Sequence, residues 1–132
     1  MKKSDREKFY NETKGRCWYC WRKIEYKEMQ IDHIVPQRIS WNSRYSTNNL
    51  MNNENNLLCS CRKCNHYKRA ELLDNFRENI KTLHERLKKQ YIFEVWLNFW
   101  ITQINNWSWK FYFEIIWLEK FTKLGQVLEK IN

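Results

Sequence analysis

Two C-x-x-C pairs, Cys17-Trp18-Tyr19-Cys20 and Cys61-Arg62-Lys63-Cys64, stand forty residues apart in a chain of 132 residues. No other feature restricts the fold as strongly. Each pair presents two sulfurs from one tight turn, and two such turns complete a tetrahedral four-thiolate site of the kind zinc prefers. Any fold that closes this site must bring residues 17–20 beside residues 61–64, so the intervening segment is left to carry function. A redox dithiol would need a single C-x-x-C opening a helix after a strand, and two pairs argue against it. The fifth cysteine, Cys59, breaks the two-residue spacing if it replaces Cys61, and reads as a small buried strand residue outside the site. An odd cysteine count, with a charged stretch after Met1-Lys2-Lys3-Ser4 in place of a secretory leader, argues against a disulfide framework. The expected setting is a reducing, cytoplasmic one, with no secretion. The longest apolar stretch, about residues 91–104, is broken by Glu94, Asn98 and Gln103, so no membrane span is expected.

A chain this short buries a limited fraction of its surface, which makes a metal staple valuable to folding. With 42% apolar residues it can still pack a core. The formal charge is +9 and unevenly placed: residues 1–72 hold fifteen of the 24 Lys/Arg but only eight of the 15 Asp/Glu. The cysteine-bearing half is therefore the basic half, which favours a polyanionic partner there.

Local patterns order the chain. Ser4-Asp5-Arg6-Glu7 has the form of a capping box, predicting a helix to about Thr13 or Lys14 with Gly15 at its exit. Met29 to Val35 is β-branched and runs into Pro36, predicting a strand. Residues 37–56 are polar and Asn-rich, predicting a loop. Leu57-Leu58 starts a second apolar run into Cys59, and a helix is predicted to open near Cys64. Leu72, Leu73, Phe76, Ile80, Leu83 and Leu87 recur at the steps of one amphipathic helix. Trp107, Trp109, Phe111 and Phe113 alternate with polar residues as in a half-buried strand. Trp117, Phe121, Leu124, Leu128 and Ile131 return to helical spacing.

Between and beside the cysteine pairs lie Asp32-His33-Ile34-Val35-Pro36, Asn56-Leu57, Cys64-Asn65 and Lys68. Over about residues 13–70 the series C-x-x-C, D-H-x-x-P, N-L-x-x-x-C-x-x-C-N-x-x-K resembles the HNH endonuclease family, of phage and bacterial type. The chemistry accounts for the residue types. Phosphodiester hydrolysis needs a water deprotonated near neutral pH, and an imidazole titrates in that range. Charge on the phosphate and leaving oxygen calls for a divalent cation, and hard cations such as Mg or Mn take oxygen ligands from Asp and Asn. Neighbouring strand residues face opposite ways, so Asp32 and His33 need separate jobs or a bulge. The resemblance implies separate jobs: His33 as general base, Asp32 and Asn65 as ligands of the catalytic cation, Asn56 as a brace for the loop and for His33. Lys68, one turn beyond Asn65, faces the same way and could contact phosphate. Many family members carry His where this chain has Asn65, and His66 follows directly, about 100° around the helix. His84 falls on a polar face.

The expected fold is α+β: a ββα-metal core over residues 1–72 pinned by zinc at Cys17, Cys20, Cys61 and Cys64, then a helix-rich, aromatic extension over residues 73–132 that packs on the core or mediates dimerisation. The expected activity is metal-dependent cleavage of DNA, double-stranded, in the cytoplasm of a bacterial or phage-infected cell. Arg38, Arg44, Arg62, Lys63 and Arg69 are the candidate DNA contacts, positioning a duplex without reading its sequence. The tryptophans of the extension, Trp96 and Trp100 among them, are expected in a core, with base stacking or a homodimer face as the other uses. The competing reading is a non-catalytic zinc module that binds nucleic acid.

Overall fold

In the computed structural model, residues 1–37, 52–105 and 110–116 are described. Helix α1 spans Lys3–Glu12 and buries Phe9. The helix starts two residues earlier than the capping box predicts, with the Arg6 amide donating to the Lys2 carbonyl (3.2 Å). That places Ser4 inside the first turn, where its hydroxyl lies 3.4 Å from the Asp5 carboxylate, and the capping box does not form. The exit follows expectation: the Gly15 amide bonds to Tyr10 O (2.9 Å) and the Lys14 amide to Asn11 O (3.0 Å), a Schellman arrangement. Gly15 has φ +69°, and a Cβ there would lie 2.7 Å from the Tyr10 hydroxyl oxygen, so both backbone and space demand glycine.

Strands β1 (Gln30–His33) and β2 (Leu57–Ser60) pair antiparallel, with Gln30 opposite Ser60, Asp32 opposite Leu58 and His33 opposite Leu57. β1 is shorter than the apolar run because Ile34 and Val35 turn away to bond with Asn56. All four residues of β2 are buried, and Cys59 opposite Ile31 is the packed strand residue expected. The Cys17–Cys20 knuckle sits beside β2, tied by a bond from the Trp18 amide to Cys59 O (3.0 Å). Helix α2 (Arg62–Lys68) follows β2 after a single residue and packs on β1. It opens earlier than predicted because Cys61 serves as its N-cap, its Sγ accepting from the Cys64 amide (3.4 Å).

The stripe from Leu72 to Leu87 is two helices, α3 (Leu73–Lys81) and α4 (Leu83–Lys88), not one. At the break, the Thr82 hydroxyl donates to the carbonyls of Glu78 (3.2 Å) and Asn79 (3.3 Å), competing with the helical pattern. Phe76 is buried, whereas Leu72 and Leu87 are exposed. Helix α5 (Tyr91–Asn98) and the residues after it expose Tyr91, Ile92, Trp96, Phe99 and Ile101, with Trp100 87% exposed. The core placement expected for Trp96 and Trp100 is therefore not found.

The alternating aromatic segment is also different from expectation. Trp107 and Trp109 lie outside the described residues, as do Trp117, Phe121, Leu124, Leu128 and Ile131, but Tyr112–Ile116 forms a short helix, α6. Phe111 and Phe113 are nonetheless fully buried while Lys110 and Tyr112 face out, so the alternation described burial and not conformation. The cause is local. The Glu114 carboxylate accepts from the Phe111 amide (2.6 Å) and starts a helical turn, and the Phe113 amide bonds to Trp18 O (2.9 Å). Arg77 of α3 holds Glu114 with two bonds of 2.9 and 2.5 Å. Phe111, Phe113 and Phe76 thus close over the knuckle.

Candidate active site

The knuckle chain doubles back through a left-handed residue, Trp21 (φ 62°), with bonds from the Trp21 amide to Cys17 O (2.8 Å) and from the Cys17 amide to Arg22 O (2.9 Å). This turns Cys17 and Cys20 toward the start of α2. The sulfurs of Cys17, Cys20, Cys61 and Cys64 all lie within 4.8 Å of one another, with Cys20 and Cys61 3.9 Å apart. A tetrahedral ion with bonds of about 2.3 Å needs sulfurs slightly under 4 Å apart, so the four fit zinc. Thiol hydrogen bonds from Cys17 and Cys64 hold Cys20 down to about 2, while bonding to Cys20 pushes Cys17 up to about 12 and bonding to Cys17 and Cys20 pushes Cys64 up further. Four sulfurs this close share protons unless a cation replaces them. Burial pushes the Cys59 thiol up to about 11, keeping it neutral and outside the cluster.

The second constellation is built where α2 crosses β1. Alternation along the strand puts Gln30 and Asp32 on one side and Ile31 and His33 on the other. Helix α2 meets the Gln30/Asp32 side. The Asn65 side-chain amide donates to Gln30 Oε1 (2.6 Å), which leaves the Asn65 oxygen outside that bond. His66, next along the helix, is exposed.

Asp32 is 6% exposed and, among the described residues, held through Oδ2, which accepts from the Tyr19 hydroxyl (2.5 Å) and lies 3.1 Å from Lys68 Nζ. Lys68 is 0% exposed and also donates to His33 O (2.8 Å). The helix-face argument placed this ammonium on a phosphate. Its long side chain instead turns inward, because the buried Asp32 carboxylate needs a charge partner and α2 brings one within reach.

His33 is partly exposed, and its Nε2 lies 3.1 Å from Asn52 Oδ1. A carboxamide oxygen only accepts, so this contact suits a ring that carries a proton on Nε2. Asn56 is fully buried, with Oδ1 accepting from the Val35 amide (2.8 Å), Nδ2 donating to Val35 O (3.1 Å) and its backbone O accepting from Ile34 (2.9 Å). It clamps the chain directly after His33.

Of the candidate DNA contacts, Arg62, Lys63 and Arg69 are exposed on or just past α2, while Arg38 and Arg44 lie outside the described residues. His84 is partly exposed and sits 2.9 Å from Glu85. Three residues of the site went unremarked in the sequence. Gln30 was discoverable, two residues before Asp32 and so on its strand face. Tyr19 sat in plain view between two ligands, but nothing local says where its hydroxyl goes. No pattern distinguishes Asn52 among its many Asn neighbours.

The family model described as HNH endonuclease matches residues 17–71, which run from the first zinc ligand to the end of α2 and just beyond. No curated protein gives a match. Among solved structures, the Type II-C Cas9 enzyme from Actinomyces naeslundii is 30% identical over 55% of this chain, with a TM-score of 0.44. The match covers 7% of that much longer protein. The family-model match thus falls on the two cysteine knuckles, the β1–β2 hairpin and α2, and residues 17–71 are similar to an HNH endonuclease domain.

Proposed function

We propose that this chain is a metal-dependent DNA endonuclease that hydrolyses phosphodiester bonds, with His33 as the general base and Asp32 and Asn65 as ligands of one divalent cation. The observation that carries the reading is the crossing of α2 over β1. It sets Asn65 against Gln30, the same-face neighbour of Asp32, while His33 faces the other way with, among the described residues, a hydrogen bond on Nε2.

The donor set suits the cation. Asp32 Oδ1 and the Asn65 oxygen are hard donors, and the bonds that position both side chains fall on other atoms. When bound, Mg or Mn would polarise the scissile phosphate and stabilise the departing oxygen. The protein's own groups do the rest. His33 Nδ1 takes the proton from the attacking water, and Asn52 on Nε2 keeps the ring in the tautomer that can do so. Asn56 and Lys68 hold the backbone that follows that ring, Lys68 through the His33 carbonyl and Asn56 through Val35. Lys68 enters the reading as a positioning residue. Arg62, Lys63 and Arg69, with Arg38 and Arg44 of the polar, Asn-rich segment, supply the phosphate contacts that hold a duplex.

The test is a supercoiled plasmid incubated with Mg or Mn, using the parent protein and His33→Ala prepared identically. Parent cutting that EDTA stops, with a loss of about 10²- to 10⁴-fold in His33→Ala, is the expected result. Open circles would indicate nicking, and linear product would indicate paired cuts by a homodimer. Equal cutting by both proteins would remove His33 from the mechanism. An inert parent that keeps its zinc and still binds DNA would favour the non-catalytic binding module.

A further inference from the structure

We propose that Tyr19 is a positioning residue that couples the zinc knuckle to the catalytic cation site, its hydroxyl deciding which oxygen of Asp32 faces the cation. The proposal rests on reading Asp32 as a ligand of that cation.

Tyr19 lies between two zinc ligands, so the knuckle fixes its backbone. Its ring is packed edge-on against Phe76, Phe111 and Phe113, with centroids 5.4, 5.2 and 6.0 Å away. A ring held from three sides, on a backbone held by a metal site, has little freedom to turn. Its hydroxyl reaches Asp32 Oδ2 at 2.5 Å. Lys68 approaches that same oxygen, but an ammonium is a compact charge whose three donors would serve either carboxylate oxygen equally well. Charge alone therefore leaves the Asp32 side chain free to rotate about its last bond. The phenol O–H is directional and comes from one fixed point, and it selects Oδ2. That leaves Oδ1 for the cation.

The role differs from a packing role, and Tyr19→Phe separates them. It keeps the ring, the aromatic cluster and the Asp32–Lys68 charge pair while deleting only the orienting bond. Partners that orient a metal ligand are worth about 10- to 100-fold in metal affinity or activity. Tyr19→Phe is expected to keep one zinc per chain and its near-ultraviolet circular dichroism, while its Kd for Mn, read from the EPR signal of free Mn, rises about tenfold or more. At saturating Mn its kcat should return to within about threefold of the parent, whereas His33→Ala should bind Mn normally and lose kcat.

Asp32→Asn, measured beside it, keeps the two readings apart. If Asp32→Asn loses Mn affinity and Tyr19→Phe does not, the coupling is wrong and the ligand assignment stands. If Asp32→Asn binds Mn like the parent, the ligand assignment and the coupling fall together. Should Tyr19→Phe not fold, the parent answers the question by NMR. With tyrosine ring carbon and Asp carboxyl carbon labelled, Mg titration should move the Tyr19 and Asp32 signals with one midpoint. A Tyr19 signal that stays put while Asp32 moves overturns the proposal.

Discussion

The two halves of this molecule are held by different physics. Up to the end of α2, buried polar groups are tied to one another by directional bonds: Asn56 clamps Val35, Lys68 joins Asp32 to the His33 carbonyl, and Tyr19 meets Asp32. Beyond α2 the pattern inverts. Tyr91, Ile92, Trp96, Phe99, Trp100 and Ile101 face outward, and the firm attachment among the described residues runs through Phe76, Phe111, Phe113 and the Arg77–Glu114 pair. Directional bonds specify one arrangement of atoms, which a catalytic site needs, whereas apolar contact specifies adjacency and little more. The extension's contribution to the site is a hydrophobic cover over Tyr19.

That contrast can be broken most severely at the zinc. Apparent binding energies of structural zinc are about 10–16 kcal/mol, comparable with or above the whole stability of a small domain. Chelation, or Cys61→Ser, should abolish the cooperative thermal transition of the cysteine-bearing half, followed by circular dichroism with metal analysis. A melt unchanged by complete zinc removal would mean that the cysteines do not staple the fold.

Lys68→Met comes next. It leaves the Asp32 carboxylate buried beside Tyr19 alone, and breaking such a pair costs about 3–5 kcal/mol. Urea denaturation should show it, and a loss under 1 kcal/mol would mean that Asp32 reaches water easily. Phe111→Ala probes the other half with a similar size, about 3–5 kcal/mol, because a fully buried aromatic ring leaves a cavity over the knuckle. If that variant instead melts like the parent, the aromatic cover is dispensable and the halves are independent.

Asn56→Ala should cost less, about 2 kcal/mol, since it strands the Val35 amide and carbonyl in a buried place. Hydrogen exchange at Val35 should rise with it. The smallest effect is expected at Trp100→Ala, within about 0.5 kcal/mol by urea melts, since that side chain projects into solvent. A loss of several kcal/mol there would show that the exposed face of the extension is covered in solution.

Some of this was legible in the residues. The two cysteine pairs, the Asp32-His33 step and Asn65 could be read in order along the chain because metal ligation and strand alternation impose spacing that survives without tertiary context. Gly15 is similar, since a left-handed helix exit selects glycine locally. The capping box at Ser4, the single long helix through Thr82 and the strand at Phe111–Phe113 were local readings that other bonds displaced. The alternation at Phe111 and Phe113 did report which side chains go inside, since burial follows from where a segment docks.

What the sequence by itself determined is the chemistry available: four thiolates for zinc, an imidazole, an aspartate and an asparagine at spacings that one hairpin and one helix can gather. What only the tertiary structure decided is how each group is aimed. Lys68 points inward to Asp32, Asn65 turns its amide to Gln30, Asn52 meets Nε2 of His33, and Tyr19 takes one oxygen of Asp32. Spacing along a chain is a one-dimensional property that ligand motifs preserve. The direction of a side chain depends on partners 13 to 41 residues away, and only the packed fold brings them within hydrogen-bond reach.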